Sequence, residues 1–63
     1  MNAEQMPELT ADRTFRFYWK SGEETVIHGT WGWLDALTIA ASLRRLLPIE
    51  ALEELKDWEE ITP

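Results

Sequence analysis

Aromatic and polar residues alternate strictly over residues 14–20. Period two, carried by residues that favour strands, is typical of a β-strand that buries one face. The buried face is predicted to hold Phe15, Phe17 and Trp19, and the opposite face Arg16 and Tyr18.

A turn and a second strand follow this segment. Ser21 and Gly22 are turn-forming residues, and residues 24–29 contain the β-prone run Thr-Val-Ile. Together with the first strand they predict a β-hairpin. The length of the loop leaves the register open, so either Val26 or Ile27 is expected to share a face with Tyr18. Because a hairpin alone is at best marginally stable, other elements must cover it.

The remaining pattern is helical. A first helix is predicted from Thr30, an acceptable N-cap, through Leu47. It is apolar around most of its circumference, which indicates that more than one neighbour covers it. Because proline fits the first turn of a helix, a second helix is predicted from Pro48 to about Glu60. The predicted fold is α+β, a β-hairpin followed by two α-helices (ββαα) that pack on one face of the hairpin.

The length of 63 residues allows one small domain. We assign residues 13–61 to that domain and interpret residues 1–12, which are polar and acidic, as a flexible N-terminal arm. The chain has no cysteine and a single histidine, His28, which excludes disulfides and sites built from several histidines. We expect no metal and no cofactor. Oligomerisation or an aromatic-rich core must then stabilise the domain.

The charge balance points to the kind of partner. Twelve acidic residues against six basic ones give a net charge of −6. Such a surface repels nucleic acid and anionic membranes and favours basic proteins. No apolar run approaches the length of a transmembrane helix, and the first residues do not resemble a secretory signal. We expect a cytoplasmic protein, in a bacterial host, that contacts neither nucleic acid nor membrane directly.

The order of short motifs resembles small uncharacterised accessory proteins of phages and prophages. The motifs are Phe-Arg-Phe-Tyr-Trp at 15–19, Lys-Ser-Gly at 20–22, Gly29, and Asp-Ala at 35–36. Such proteins end in a helix with leucine, an aromatic residue and acids, as in residues 55–60 here.

The chain departs from those proteins between the helices, where they tend to be rich in glycine and this chain has Leu-Leu-Pro at 46–48. The resemblance implies an accessory protein that interacts with a host component. It carries over no catalytic residue.

Acidic residues of the second predicted helix are the first candidates for contact with a partner. Glu50, Glu53, Glu54 and Asp57 fall on one helical face. Regularly spaced carboxylates can imitate a row of phosphates and occupy a basic groove. The alternative is the solvated charged face that most amphipathic helices have.

Aromatic residues are the second candidates. If Trp33 turns toward the core, Trp31 is left near the surface, where it would suit an apolar target together with Tyr18. The alternative is that both tryptophans fill a small core.

Self-association is the third possibility. The apolar residues Ile39, Leu43 and Leu46 of the first helix could form the contact of a homodimer. No arrangement of nucleophile and base points to an enzyme. We expect an inhibitor or adaptor that occludes a host protein, for example a basic nucleic-acid-binding groove, as an anti-defence or anti-CRISPR-type inhibitor does. The alternative is a structural homodimer.

Overall fold

The structure, a computed structural model, describes residues 11–62. The elements are the strands Arg13–Trp19 (β1) and Glu24–Thr30 (β2), the helices Trp33–Leu43 (α1) and Pro48–Glu54 (α2), and the strand Leu55–Ile61 (β3). The α+β class and the order of a β-hairpin followed by two helices are confirmed. The sheet has a third strand, β3, which the sequence analysis did not predict. The proposed N-terminal arm lies mostly outside the described residues.

The first strand is the centre of the sheet. The strand order is β2-β1-β3, and β1 pairs antiparallel with both neighbours. Arg16 lies opposite Val26, which settles the register: Val26 shares the face of Arg16 and Tyr18. The four-residue hairpin loop, residues 20–23, contains Gly22 at a φ of 93°, a conformation that glycine adopts without strain.

The core forms between the opposite face of β1 and the two helices. The strand contributes aromatic residues and the helices contribute mostly alanine. The core residues are Phe15, Phe17, Trp19, Ile27, Ala36, Leu37, Ala40, Ala41 and Ala51. Because both helices contribute to one cluster with the same face of β1, they lie on one side of the sheet. We call this side the inner face.

The first helix is shorter than predicted at both ends. Thr30 is the last residue of β2 and is fully buried. Its hydroxyl donates to the carbonyl of Arg13 at 3.3 Å, so it stabilises the pairing of β1 and β2 and does not cap the helix. Gly32 is the N-cap instead. At the other end Arg45 has a φ of 58°, and this left-handed residue ends the helix before Leu47.

The prediction that the second helix continues to Glu60 is wrong, because α2 ends at Glu54. Locally, the glutamates of this segment favour a helix. However, β1 has a second edge whose backbone N–H and C=O groups need partners. Residues 57–61 supply those partners, and the backbone N–H of Lys20 donates to the carbonyl of Glu54 at 2.9 Å where the helix stops. Tertiary pairing therefore overrides local propensity.

An ion pair joins β3 to the start of β1. Both Arg13 nitrogens Nε and Nη2 donate to the carboxylate of Glu60, at 2.9 and 2.8 Å. The guanidinium also lies over the ring of Phe15, 5.2 Å from its centroid. The hydrogen bond from Arg13 lowers the pKa of Glu60, and the charge of Arg13 adds to that effect.

We expect the Arg13→Gln variant to be less stable than the wild type at neutral pH and to lose that difference in acid. A carboxyl group whose pKa is lowered by folding contributes stability above its unfolded pKa. That contribution disappears as the pH falls through the lowered pKa of Glu60. Urea unfolding over a pH series measures it. The Glu60→Gln background is the control, in which Arg13→Gln should cause no pH-dependent difference. A difference in the wild-type background that does not change with pH would contradict the role of the ion pair.

Candidate functional site

The acidic residues singled out from the sequence lie on two elements. Glu50, Glu53 and Glu54 are on α2, at a spacing that places them on one helical face. Asp57 is on β3, so it does not continue that helical face as predicted. The four carboxylates still belong to one continuous segment, because α2 passes directly into β3.

The three α2 carboxylates differ in their contacts. Glu50 accepts a hydrogen bond from the backbone N–H of Leu47 at 2.8 Å, which satisfies one of the free donors at the start of the helix. Glu53 and Glu54 are exposed, and within residues 11–62 their carboxylates make no hydrogen bond or ion pair. Glu50 therefore holds the helix start, and the other two are available to a partner.

The side of the sheet turned away from the helices is the outer face. Its residues on the three strands are Thr14, Arg16, Tyr18, Glu24, Val26, His28, Asp57, Glu59 and Ile61. Arg16 lies at its centre, with its Nε 3.8 Å from a carboxylate oxygen of Glu24. This separation is an ion pair but is too long for a hydrogen bond. His28 and Thr14 are joined by a hydrogen bond of 3.3 Å.

A shallow depression of about 310 Å³ lies at the β3 side of the outer face, lined by Tyr18, Lys56, Asp57 and Glu59. The hydroxyl of Tyr18 donates to the carboxylate of Glu59. Asp57 accepts a hydrogen bond from the backbone N–H of Trp58 at 2.8 Å. Two carboxylates beside an aromatic ring suit the head and stem of a lysine or arginine side chain.

Trp58 marks the inner face of β3. Its ring is 5.5 Å from Trp33 and 6.1 Å from Phe15, measured between centroids, yet 45% of the residue is exposed. Because the sequence predicted a helix through Glu60, it did not identify Trp58 as a surface residue of a strand. The available signal was weak: Trp58 and Ile61 are β-prone residues in an otherwise helix-prone segment.

The two tryptophans that follow β2 differ in exposure, which decides between the two alternatives that the sequence left open. Trp31 is 55% exposed, whereas Trp33 is half-buried and packs against the core. The backbone of Trp31 is fixed on both sides: its N–H donates to Asp35 at 3.0 Å, and its carbonyl accepts from Arg13 at 3.3 Å. Trp31 is therefore an exposed ring on a hydrogen-bonded backbone. It lies at the opposite end of β1 from Tyr18.

The residues considered for self-association are only partly exposed. Leu43 is 68% exposed and Ile39 is 39% exposed, whereas Leu46 is half-buried against the core. Further large apolar residues are exposed on the helical side, and these are Leu34, Leu47, Ile49 and Leu52. Ile49 and Leu52 are three positions apart in α2 and so are neighbours on its surface.

Two negative findings apply to residues 11–62. No group of three or more His, Asp or Glu side chains is placed to hold a metal ion. Neither α1 nor α2 has the length and apolar content needed to cross a membrane.

No protein-family model, no curated protein and no solved structure matches the chain. The function must therefore be argued from the geometry and charge of the described residues.

Proposed function

We propose that this protein is a small acidic protein-binding module that occludes a basic surface of a host protein, as a phage-derived inhibitor or adaptor. The observation that carries the proposal is the exposed carboxylate set formed by Glu53, Glu54, Asp57 and Glu59 at the junction of α2 and β3. None of the four is in an ion pair within residues 11–62.

The distribution of charge supports a contact surface at this junction. Residues 48–61 hold six of the twelve acidic residues and one basic residue. Three of the four arginines are locally neutralised. Their pairs are Arg13 with Glu60, Arg16 with Glu24, and Arg44 with Glu23. Negative charge is thus concentrated at one end of the chain, which accelerates encounter with a basic partner and orients it.

The proposed mechanism is steric and electrostatic occlusion. Carboxylates spaced along α2 and β3 imitate phosphates and compete for a groove that binds nucleic acid. Tyr18 lies opposite Asp57 on the neighbouring strand, so it can supply an aromatic anchor next to the acids. Trp31 lies at the other end of β1 and suits an apolar target instead. The resemblance to phage accessory proteins supports a host protein as the partner.

We expect a variant without the four carboxylates to lose the partner. The variant is Glu53→Gln, Glu54→Gln, Asp57→Asn and Glu59→Gln, and it keeps the size of each side chain and one of its two acceptor oxygens. An exposed ion pair contributes about 0.2–1 kcal/mol, so losing four should weaken binding by roughly fourfold to several hundredfold. Affinity capture of the tagged protein from bacterial lysate, at low and high salt, identifies the partner, and titration with the purified partner measures the affinity.

A matched control raises the net charge by the same four units elsewhere in the chain, through Glu4→Gln, Glu8→Gln, Thr38→Lys and Ser42→Lys. This control should retain the partner, and the wild-type complex should weaken as salt screens the charges. Equal loss of binding in the two variants would show that net charge alone, and not the position of the carboxylates, determines binding. Full binding by the first variant would contradict the proposal.

Homodimerisation is the second candidate function, and the exposed apolar residues Ile39 and Leu43 of α1 favour it. Leu43 and Ile39 lie four positions apart on α1, so they form one apolar strip along the helix. An exposed apolar strip of this kind often marks a protein contact. The functional unit would then be a structural or self-assembling dimer without an inhibitory role.

If the dimer forms through this strip, Leu43→Glu should give a monomer at concentrations where the wild type is dimeric. Leu34→Glu is the matched control. It has the same residue type in the same helix, with 67% exposure, and nine positions place it about 180° around the helix. Sedimentation equilibrium measures the mass, and circular dichroism checks the fold. A wild type that stays monomeric at high concentration would contradict this candidate.

A further inference from the structure

The third strand is a free edge of the sheet. Within residues 11–62, β3 pairs with β1 and with no other strand. In a β-strand, alternate residues direct their backbone N–H and C=O groups to opposite sides. The side of β3 that faces away from β1 therefore offers donors and acceptors to a further strand.

The two edges of the sheet differ in regularity and in charge. The other edge strand, β2, departs from regular pairing near its end, where Gly29 has a φ of 74°. Such an irregularity twists an edge away from further pairing. β3 has a register shift only at its start, between the pairs of Trp19 and Tyr18, and is then regular over five successive pairs, from Tyr18 opposite Asp57 to Thr14 opposite Ile61. Five residues span about 16 Å of continuous edge.

Charge decides which occupant this edge favours. A second copy paired antiparallel about Trp58 would place Asp57 directly opposite Glu59, twice. The same register places Lys56 opposite Glu60, whose charge is already paired with Arg13, so the repulsion between Asp57 and Glu59 is not offset. Like charges in directly opposed positions destabilise a pair of strands. The same carboxylates attract an incoming strand that carries lysine or arginine. The charges on β3 thus disfavour a second copy and favour a basic segment of another protein.

Both faces of β3 provide contacts for the side chains of an added strand. On the outer face, the depression beside Tyr18 is lined by Asp57, Glu59 and Lys56, so two carboxylates and one ammonium group leave it net negative toward a cationic side chain. On the inner face, the exposed part of Trp58 offers an aromatic surface to an apolar side chain. Because neighbouring residues of a strand point to opposite faces, the fitting sequence alternates basic and apolar residues.

We infer that the edge of β3 binds an extended, basic segment of another protein as a fourth strand of the sheet. Its basic residues face Asp57 and Glu59, and its apolar residues lie beside Trp58. Main-chain hydrogen bonds provide affinity in this mode of recognition, and the alternating side chains provide specificity. The inference rests on the proposed function and specifies the form of the partner.

The test uses the full chain and a capped heptapeptide of alternating lysine and valine. The peptide has four lysines and three valines. Two N-methylated isomers of it are compared, one methylated on three of its lysines and the other on its three valines. The residues of one set direct their N–H groups toward β3 and those of the other set direct them away. One isomer should therefore bind like the unmodified peptide, and the other should bind at least about tenfold more weakly. Amide chemical shifts should change along β3.

Two protein variants with equal net charge distinguish the contribution of β3 to peptide binding from that of α2. Asp57→Asn with Glu59→Gln alters the edge, and Glu53→Gln with Glu54→Gln alters α2. The first should bind the peptide about tenfold more weakly, and the second should stay within about threefold of the wild type, because its charges lie off the strand. A heptapeptide of alternating glutamate and valine should not bind.

Four outcomes would overturn the inference. Equal binding of the two N-methylated isomers would show charge attraction without strand pairing, and the proposed function would still stand. No binding of the lysine–valine peptide would exclude a basic fourth strand. Edge amides of β3 that are protected from hydrogen exchange in the free chain at every concentration would show that the chain covers its own edge. Protection that grows with protein concentration would show that a second copy occupies it. The proposed function itself fails only if the variant without the four carboxylates keeps its partner.

Discussion

The burial of three aromatic side chains of β1 is the constraint on which the rest of the structure depends. Phe15, Phe17 and Trp19 are almost fully buried at the centre of the sheet. Each such burial contributes about 1.5–3 kcal/mol, which a hairpin alone cannot achieve because it covers neither of its faces. The helices approach the rings closely because they contribute small side chains, namely Ala36, Ala40, Ala41 and Ala51. Large residues on the strand and small residues on the helices are complementary halves of one core.

Placing β1 at the centre determines which surfaces remain open. A central strand needs a partner on each side, so the last described strand of the chain returns to pair with it. Contacts at the two ends of β3 hold it there: Lys20 with the end of α2, and Arg13 with Glu60. Because both helices cover the inner face, the outer face and the edge of β3 are exposed. The candidate binding surface is thus a consequence of how the core is covered.

The charged side chains are also divided between the arginines, which are mostly paired within the fold, and the carboxylates of the exposed surface. Arg44 lies 4.7 Å above the ring of Trp19 and pairs with Glu23 of the hairpin loop, so it closes one end of the core and is not directed toward a partner. With Arg13 and Arg16 also paired, the carboxylates after Glu50 dominate the charge of the exposed surface. A partner that meets this surface must supply the positive charge.

The sequence by itself determined the hairpin and the inward face of β1, because period-two alternation of aromatic residues directly encodes a strand with one buried face. It also determined the start of α2, since Pro48 suits the first turn of a helix. Only the tertiary structure decided that residues 55–61 form a strand. The glutamates there favour a helix locally, and the unpaired edge of β1 that recruits them is more than thirty-five residues away in the chain. The position of Asp57 beside Tyr18, and with it the shape of the candidate site, depends on that long-range pairing, which no local pattern records.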